Sequence, residues 1–290
     1  MMKTTLSPVV AGTMNWGVWD KNLSVTEMAN LMHVCLENKI STFDHADIYG
    51  GYTTEATFGE GFKQSKINRS KIQLVSKCGI QLVTNNRNNK IKHYDYSKEY
   101  IIWSAENSLK NLKTDYLDVF LLHRPSPLMQ ADEIVEAIEK LKKDGKILDF
   151  GLSNFTPFQT DLIKQKTNVS YNQIQFSATH LEPMVDGSLN HMQIHHIRPM
   201  AWNPLGTIFR EDTDQTRRLK KLLARLVEKY HFGSDIILLA WIMKHPSKVI
   251  PVAGTVNVAR IQQLQKASEL ILDPEDWFEI WDESRGKEVD

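Results

Sequence analysis

Eight short apolar runs alternate with helical patterns along this chain of 290 residues. Parallel strands are joined by crossover connections, which are usually helices, so the alternation predicts an α/β fold with a parallel sheet. Eight strand–helix units in a chain of this length predict closure into a (β/α)8 TIM barrel. No linker or low-complexity tract divides the chain, and we expect a single domain over residues 1–290. The runs lie at residues 8–11, 40–44, 72–76, 117–122, 147–151, 171–175, 197–202 and 248–252.

The gaps between the runs carry helix start and stop signals. Serine and threonine N-caps precede apolar periodicity, and one glycine is placed for a left-handed C-terminal cap. Two helices are expected outside the eightfold repeat, a charged one near 213–230 and a tail helix opening at Asp273-Pro274. A doubly wound sheet is the competing fold, but no G-x-G-x-x-G motif follows the first run. The capping signals are Ser24 with Glu27, Ser97, Thr156-Pro157 and Gly145.

The charge balance and cysteine content argue against several classes of protein. Lys and Arg together number 35, as do Asp and Glu, so no basic excess indicates a nucleic-acid partner. No apolar run reaches the roughly 18 residues of a membrane span, and the N-terminus lacks a signal-peptide pattern. Cys35 and Cys78 lie in unrelated segments, as expected for free thiols in a reducing compartment. We therefore expect a cytoplasmic protein with neither nucleic-acid nor membrane partners.

Four polar residues stand at or just after the ends of three apolar runs. Asp44 and Tyr49 follow the second run, Lys77 the third and His123 the fourth. Each has an ordinary explanation by itself, such as a solvated strand end. Together they would meet at the carboxyl end of a barrel, where barrel enzymes carry their chemistry. A charged lysine can make a phenol acidic, and a neutral histidine can orient a carbonyl oxygen. Such a site would protonate a carbonyl oxygen while a hydride is delivered to the carbon. No side chain carries a hydride, so a nicotinamide cofactor is implied.

With five motifs in order, the chain resembles the aldo-keto reductases from Gly12 to Arg260, and within them a branch of bacterial oxidoreductases. The resemblance implies NADPH-dependent reduction of an aldehyde or ketone to an alcohol. It implies that Tyr49 is the general acid, that Lys77 and Asp44 tune it, and that His123 orients the carbonyl. The motifs are Phe43-Asp44-His45-Ala46-Asp47-Ile48-Tyr49-Gly50, Val75-Ser76-Lys77, Leu122-His123-Arg124-Pro125, Gly151-Leu152-Ser153-Asn154-Phe155 and Asn172-Gln173.

The resemblance also implies a binding site for the cofactor NADPH. Ser153, Asn154 and Gln173 match residues that hold the nicotinamide carboxamide, and Trp202 stands where an aromatic side chain stacks on the nicotinamide ring. Arg260 matches the arginine that meets the 2′-phosphate, with a solvated helix-start charge as the ordinary alternative. The chain departs from the family at Val256 and at Gln263-Leu264, which implies fewer phosphate and adenine contacts. Further cofactor residues expected by position are Gly12, Thr13, Met14, Asp44, Asn203, Leu205, Gly206, Gly254, Thr255 and Gln263.

The substrate pocket is less constrained by the sequence. Trp16, Trp19 and Tyr52 are its expected walls, which predicts a partly apolar pocket for a small-molecule carbonyl substrate. No metal is expected at the histidines of residues 191–196, because no carboxylate lies at helical spacing from them. A barrel that binds NADP(H) as a sensor with little turnover, like potassium-channel β subunits, remains the alternative function. Both a monomer and a weak dimer stay open.

Overall fold

The computed structural model describes residues 4–289. Eight parallel strands close into a barrel in the order β1-β10-β9-β8-β7-β6-β3-β2, and β1 pairs with β2 to complete the ring. The TIM barrel predicted from the alternation is therefore confirmed. The barrel strands are β1 (Val10–Gly12), β2 (Thr42–Asp44), β3 (Gln73–Cys78), β6 (Leu117–Leu122), β7 (Ile147–Ser153), β8 (Tyr171–Gln175), β9 (Arg198–Trp202) and β10 (Ile250–Ala253). β4 (Ile80–Gln81) and β5 (His93–Tyr94) form a separate antiparallel pair.

Helices follow the strands and begin at the residues that the capping signals indicated. Ser24 and Thr156 each form a capping box, and the Ser97 hydroxyl accepts the N–H of Tyr100. Gly145 has a φ of +72°, the left-handed conformation expected just after a helix end. No helix within residues 4–289 is long and apolar enough to cross a membrane. The helices are α1 (Val25–Glu37), α2 (Thr54–Ser65), α3 (Lys98–Leu112), α4 (Ala131–Lys143), α5 (Pro157–Lys164), α6 (Glu182–Val185), α7 (Ser188–Ile194), α8 (Asp214–Tyr230), α9 (Ser234–Met243), α10 (Val258–Leu264) and α11 (Pro274–Arg285).

The structure differs from the predicted strands mainly at their ends. The first strand begins at Val10. The carbonyl of the preceding residue, Val9, accepts a hydrogen bond from the Ser7 hydroxyl and not from a neighbouring strand. The last begins at Ile250, since Lys248 has a left-handed φ of +57° that a strand cannot include. The β4–β5 hairpin was not predicted from the sequence. Its first strand is only two residues long, too short to show an alternating pattern.

Period-two alternation places the polar residues above the packed interior of the barrel. Side chains two apart on a strand share a face, so Lys77 lies on the same side as Val75, and Gln173 on the same side as Tyr171. Val75 and Tyr171 belong to one buried apolar cluster with residues of four other barrel strands. The carboxyl ends of the strands therefore present polar groups over an apolar floor. A larger cluster packs the outer faces of the strands against the helices.

Close packing between α2 and α3 gives a test of the fold. A Cβ built on Gly59 would lie 1.9 Å from the carbonyl oxygen of Asn111, so the two backbones touch. Gly59→Ala should lower the free energy of unfolding by about 1–3 kcal/mol, the usual cost of overpacking. Urea denaturation followed by circular dichroism measures it. Gly61→Ala is the control in the same helix, because its Cβ would lie 3.0 Å from the nearest atom. Equal midpoints for the two variants would contradict this packing.

Candidate active site

The Lys77 ammonium is the centre of a buried cluster at the carboxyl end of β2 and β3. Its Nζ donates to Asp44 Oδ1 at 2.8 Å, to the His45 carbonyl oxygen at 2.7 Å and to Tyr49 Oη at 3.2 Å. A lysine ammonium has three donors and no acceptor, so these three contacts use its full capacity. The Tyr49 oxygen must accept from Lys77, and its own proton is therefore directed away from the ammonium.

Burial and charge act on the pKa values of this cluster in opposite directions. Burial raises the pKa of the Tyr49 phenol, and the neighbouring Lys77 ammonium partly opposes that rise. Burial by itself would lower the pKa of Lys77, but the Asp44 carboxylate and Tyr49 outweigh it and the net shift is upward. At neutral pH the lysine is thus charged and the tyrosine protonated, the state that a general acid requires.

His123 lies across the opening from Tyr49. Their ring centroids are 6.1 Å apart with the planes 77° to each other, and the His123 backbone N–H is anchored to the Cys78 carbonyl. Burial, with Lys77 and Arg124 nearby, lowers the pKa of His123 well below its ordinary value, so the ring is neutral. A neutral imidazole offers one N–H donor to a neighbouring oxygen without adding charge.

Two buried carboxyl groups near Lys77, those of Asp47 and Glu55, were not anticipated from the sequence. Asp47 Oδ2 accepts from Tyr100 Oη at 3.1 Å and from Ser104 Oγ at 3.2 Å, while its buried Oδ1 meets no donor in the described part of the chain. Burial and the nearby Glu55 raise the pKa of Asp47 to about 8, which makes it mainly protonated at neutral pH. Asp47 lies within the motif that carries Asp44 and Tyr49. The second aspartate of that motif was the signal by which it could have been found.

Ser153, Asn154, Gln173 and Trp202 form a connected group beside His123. Trp202 Nε1 donates to Asn154 Oδ1 at 2.8 Å, and Asn154 Nδ2 donates to Ser153 Oγ at 2.8 Å. The Asn154 backbone N–H donates to the Gln173 carbonyl at 2.8 Å. Gln173 is 3% exposed, and its Nε2 has no hydrogen-bond partner among residues 4–289. A buried amide donor left free beside a serine hydroxyl fits the carboxamide of a nicotinamide, which can accept and donate hydrogen bonds.

The loop after β9 carries Asn203, Leu205 and Gly206. Gly206 has a φ of +57°, and a Cβ on it would lie 2.0 Å from Thr179 Oγ1, so only glycine fits there. The Arg210 guanidinium folds back and donates to Asn203 Oδ1 at 2.8 Å and to the Gly206 carbonyl at 2.7 Å. Arg210 was not predicted as a site residue, although it is a basic residue near a strand end. It adds a cation to this rim of the barrel.

The remaining expected cofactor residues follow β1 and β10, the two strands that close the barrel. Gly12 and Thr13 are buried, whereas Met14 is 47% exposed. Beyond β10, Gly254 is exposed and Thr255 half-buried.

Arg260 lies near the N-terminus of α10, farther from Tyr49 along the chain. Asn257 caps this helix by accepting the Arg260 backbone N–H at 3.1 Å. Arg260 and Gln263 are exposed and line a surface cavity of about 220 Å³ together with His231 and Lys266. An exposed guanidinium beside helix N–H groups is suited to a phosphate.

The structure corrects one expected wall of the substrate pocket. Trp16 is fully buried, with its ring centroid 6.0 Å from that of Phe43 and 5.9 Å from that of Phe58, so it belongs to the outer core. The turn after β1 directs the indole into this core instead of toward the opening of the barrel. Residue type alone does not show that direction. Trp19 is 46% exposed, and its ring lies 6.1 Å from that of Tyr49.

Tyr52 is near the site, but its phenol is occupied by the β4–β5 hairpin. Its Oη donates to the Ile80 carbonyl at 3.3 Å and accepts the Leu82 N–H at 2.9 Å. The Arg87 guanidinium lies 4.4 Å from the Tyr52 ring and 4.4 Å from the Trp103 ring, which ties the loop after β4 to the barrel. Another cation, Arg124, was also missed and lies 5.7 Å from the Trp202 ring, next to His123 in the chain.

The Lys77–Asp44 pair provides a stability test of the cluster. The two side chains are 0% and 3% exposed, so Lys77→Met strands a buried carboxylate. Removing one partner of a buried pair typically costs about 3–5 kcal/mol, and urea unfolding should show a loss of that size. The double variant Lys77→Met/Asp44→Asn removes both charges and should recover much of it. A double variant no more stable than the single one would show that Asp44 is not the group stranded by the loss of Lys77.

Comparisons with known proteins identify the family and agree with this fold. The Aldo/keto reductase family model matches residues 8–284. The chain is 40% identical over 280 residues to the uncharacterized oxidoreductase YcsN of Bacillus subtilis, covering 94% of this chain and 93% of that protein. It is 35% identical over 292 residues to a 6-dehydroglucose reductase of Agrobacterium fabrum, covering 99% and 97%. A Klebsiella pneumoniae aldo/keto reductase solved with NADP and acetate has the same fold, with a TM-score of 0.78 at 22% identity over 95% of this chain and 90% of that chain. The chain belongs to the aldo/keto reductase family.

Proposed function

We propose that this protein is an NADPH-dependent reductase that converts an aldehyde or ketone to an alcohol. The observation that carries the proposal is the buried Lys77 ammonium, which donates to both Asp44 and the Tyr49 oxygen. The Tyr49 oxygen completes the hydrogen bonds of the buried ammonium, and the same contact places a cation where a phenolate would form. A lysine that must stabilise a phenolate needs that contact.

Tyr49 acts as the general acid in this proposal. Its proton points away from Lys77, and it passes from Oη to the carbonyl oxygen of a substrate seated at the barrel opening. The phenolate left behind accepts a charge-assisted hydrogen bond from Lys77 Nζ, 3.2 Å away. Neutral His123 donates to the same carbonyl oxygen and orients it. Asp44 keeps Lys77 charged throughout.

The cofactor proposed for this reaction is NADPH, which supplies the hydride to the carbonyl carbon when bound. Gln173 Nε2 and Ser153 would hold its carboxamide, and Asn154 positions both Ser153 and the Trp202 indole through hydrogen bonds. The indole would lie against the nicotinamide ring. Arg260 would bind the 2′-phosphate. The Klebsiella structure with NADP supports this choice by fold alone.

The substrate is proposed to be a small carbonyl compound with an apolar or sugar-like body. Exposed Trp19 beside Tyr49 offers an apolar wall, and the name of the Agrobacterium relative adds 6-dehydroglucose to the candidates.

NADPH oxidation measured with aromatic aldehydes, aliphatic aldehydes and 6-dehydroglucose tests the activity. Turnover of at least one class supports a reductase. Tight NADPH binding without turnover of any carbonyl would favour the alternative function, an NADP(H) sensor.

Both cysteines are free and buried, in keeping with a cytoplasmic site of action.

Tyr49→Phe tests the general acid. It removes the phenol proton and keeps the ring, so NADPH binding should be retained. The rate of the chemical step should fall by about 10² to 10⁴, the usual contribution of general acid catalysis. Stopped-flow single turnover measures that step directly. Trp19→Phe serves as the control, because it changes a wall residue beside Tyr49 and should alter KM more than the chemical rate. A normal chemical rate in Tyr49→Phe would refute the assignment.

Arg260→Met tests the cofactor preference. A hydrogen bond to a charged group contributes about 1.5–3 kcal/mol, or about one to two decades in affinity. NADPH binding should weaken by that amount, while NADH binding stays nearly unchanged. Titration of tryptophan fluorescence with each cofactor measures both. Lys266→Met is the matched control, since Lys266 lines the same cavity but has no assigned role. Equal losses for NADPH and NADH would place Arg260 away from the 2′-phosphate.

A further inference from the structure

Asp161, His191 and His195 meet on the outer side of the barrel, between α5 and α7. His191 Nε2 donates to Asp161 Oδ1 at 2.8 Å, and His195 Nε2 lies 3.7 Å from the same oxygen. One possible ligand atom from each residue lies within 4.8 Å of the other two. The two imidazole rings have centroids 4.4 Å apart. Two imidazoles and a carboxylate therefore face one small space.

The backbone fixes this arrangement. The His195 N–H donates to the His191 carbonyl at 3.0 Å, so the two residues are one helical turn apart and project from the same side. Asp161 comes from α5, a different helix. No carboxylate was expected near these histidines at helical spacing, but Asp161, 30 positions from His191 in the chain, supplies one through the packing of α5 against α7. His195 stands just before β9, so the cluster lies toward the end of the barrel opposite Tyr49.

The ligand types and their exposure suit a metal ion. A neutral imidazole has a free lone pair for coordination. The side chains of His191, His195 and Asp161 are 12%, 34% and 38% exposed, so an ion can reach them from solvent.

The distances suit a small divalent cation. Bonds of about 2.0 Å in tetrahedral geometry place ligand atoms about 3.3 Å apart. The observed separations of 2.8 and 3.7 Å from Asp161 Oδ1 lie on either side of that value. An ion would replace the proton that His191 now shares with Asp161, and small side-chain rotations would equalise the distances. Imidazole and carboxylate together favour ions such as Zn²⁺ over Mg²⁺, which prefers oxygen ligands.

We propose that Asp161, His191 and His195 form a binding site for a divalent transition-metal ion of the Zn²⁺ type, with water completing the coordination. The ion links α5 to α7 and is separate from the carbonyl chemistry at Tyr49. The site adds a metal-dependent connection between two helices that otherwise share the half-buried hydrogen bond from His191 to Asp161.

Zinc binding to the full chain, prepared without an affinity tag and stripped with chelator, tests the proposal. Competition with a chromophoric chelator should show one tight equivalent of Zn²⁺, undisturbed by excess Mg²⁺. His191→Ala, His195→Ala and Asp161→Asn should each weaken that binding at least tenfold, since even losses in the outer shell of a metal site cost about 10- to 100-fold. His33→Ala, an exposed helical histidine elsewhere, is the control and should bind like the wild type.

A second measurement separates ligation from a plain ion pair. Zn²⁺ should raise the thermal midpoint of the wild type and of His33→Ala, but not of His195→Ala, because only a ligand that binds the native state stabilises it. Co²⁺ in place of Zn²⁺ should give visible absorption bands that disappear in His195→Ala. No saturable Zn²⁺ binding by the wild type, or equal binding by all variants, would overturn the proposal.

Discussion

The buried Lys77 ammonium is the constraint on which the arrangement of the site depends. An unpaired ammonium in this position would lose far more solvation than a fold can normally tolerate, so all three of its donors must find acceptors. The acceptors come from Asp44, from the backbone of His45 and from Tyr49. Satisfying the lysine thus fixes the turn that carries Tyr49. It also determines which way the phenol proton points, so stability and reactivity have the same cause.

The charge balance around Lys77 is simpler than the number of ionisable groups suggests. His45 has its pKa lowered to about 3 by burial and by Lys77, and it is neutral. Asp47, with a pKa of about 8, is also mainly neutral near pH 7. Burial likewise raises the pKa of Glu55. Asp44 is therefore the main anion beside Lys77. The other ionisable groups nearby do not cancel the electrostatic effect of the lysine on the Tyr49 phenol.

Sequence reasoning reached the barrel and its catalytic face because both follow from local patterns. Strand runs and capping residues act over a few positions, and parallel strands bring residues such as Asp44 and Lys77 to one end. Side-chain direction after a strand depends on tertiary packing, so Trp16 was placed at the opening although it lies in the core. Pairs that join distant helices, such as Asp161 with His191, leave no periodic signal. The roles of the site residues remain predictions.

Barrel closure has a consequence for how the chain reaches this structure. β1 at the N-terminal end pairs with β10 near the C-terminal end, through Val10 with Val252 and Ala11 with Ala253. During synthesis the early strands present an unpaired edge until the last strand leaves the ribosome, and such edges invite aggregation. β1 contains only three residues, so little edge is open in that interval. A strand of only three residues thus stands where the nascent chain waits longest for its partner.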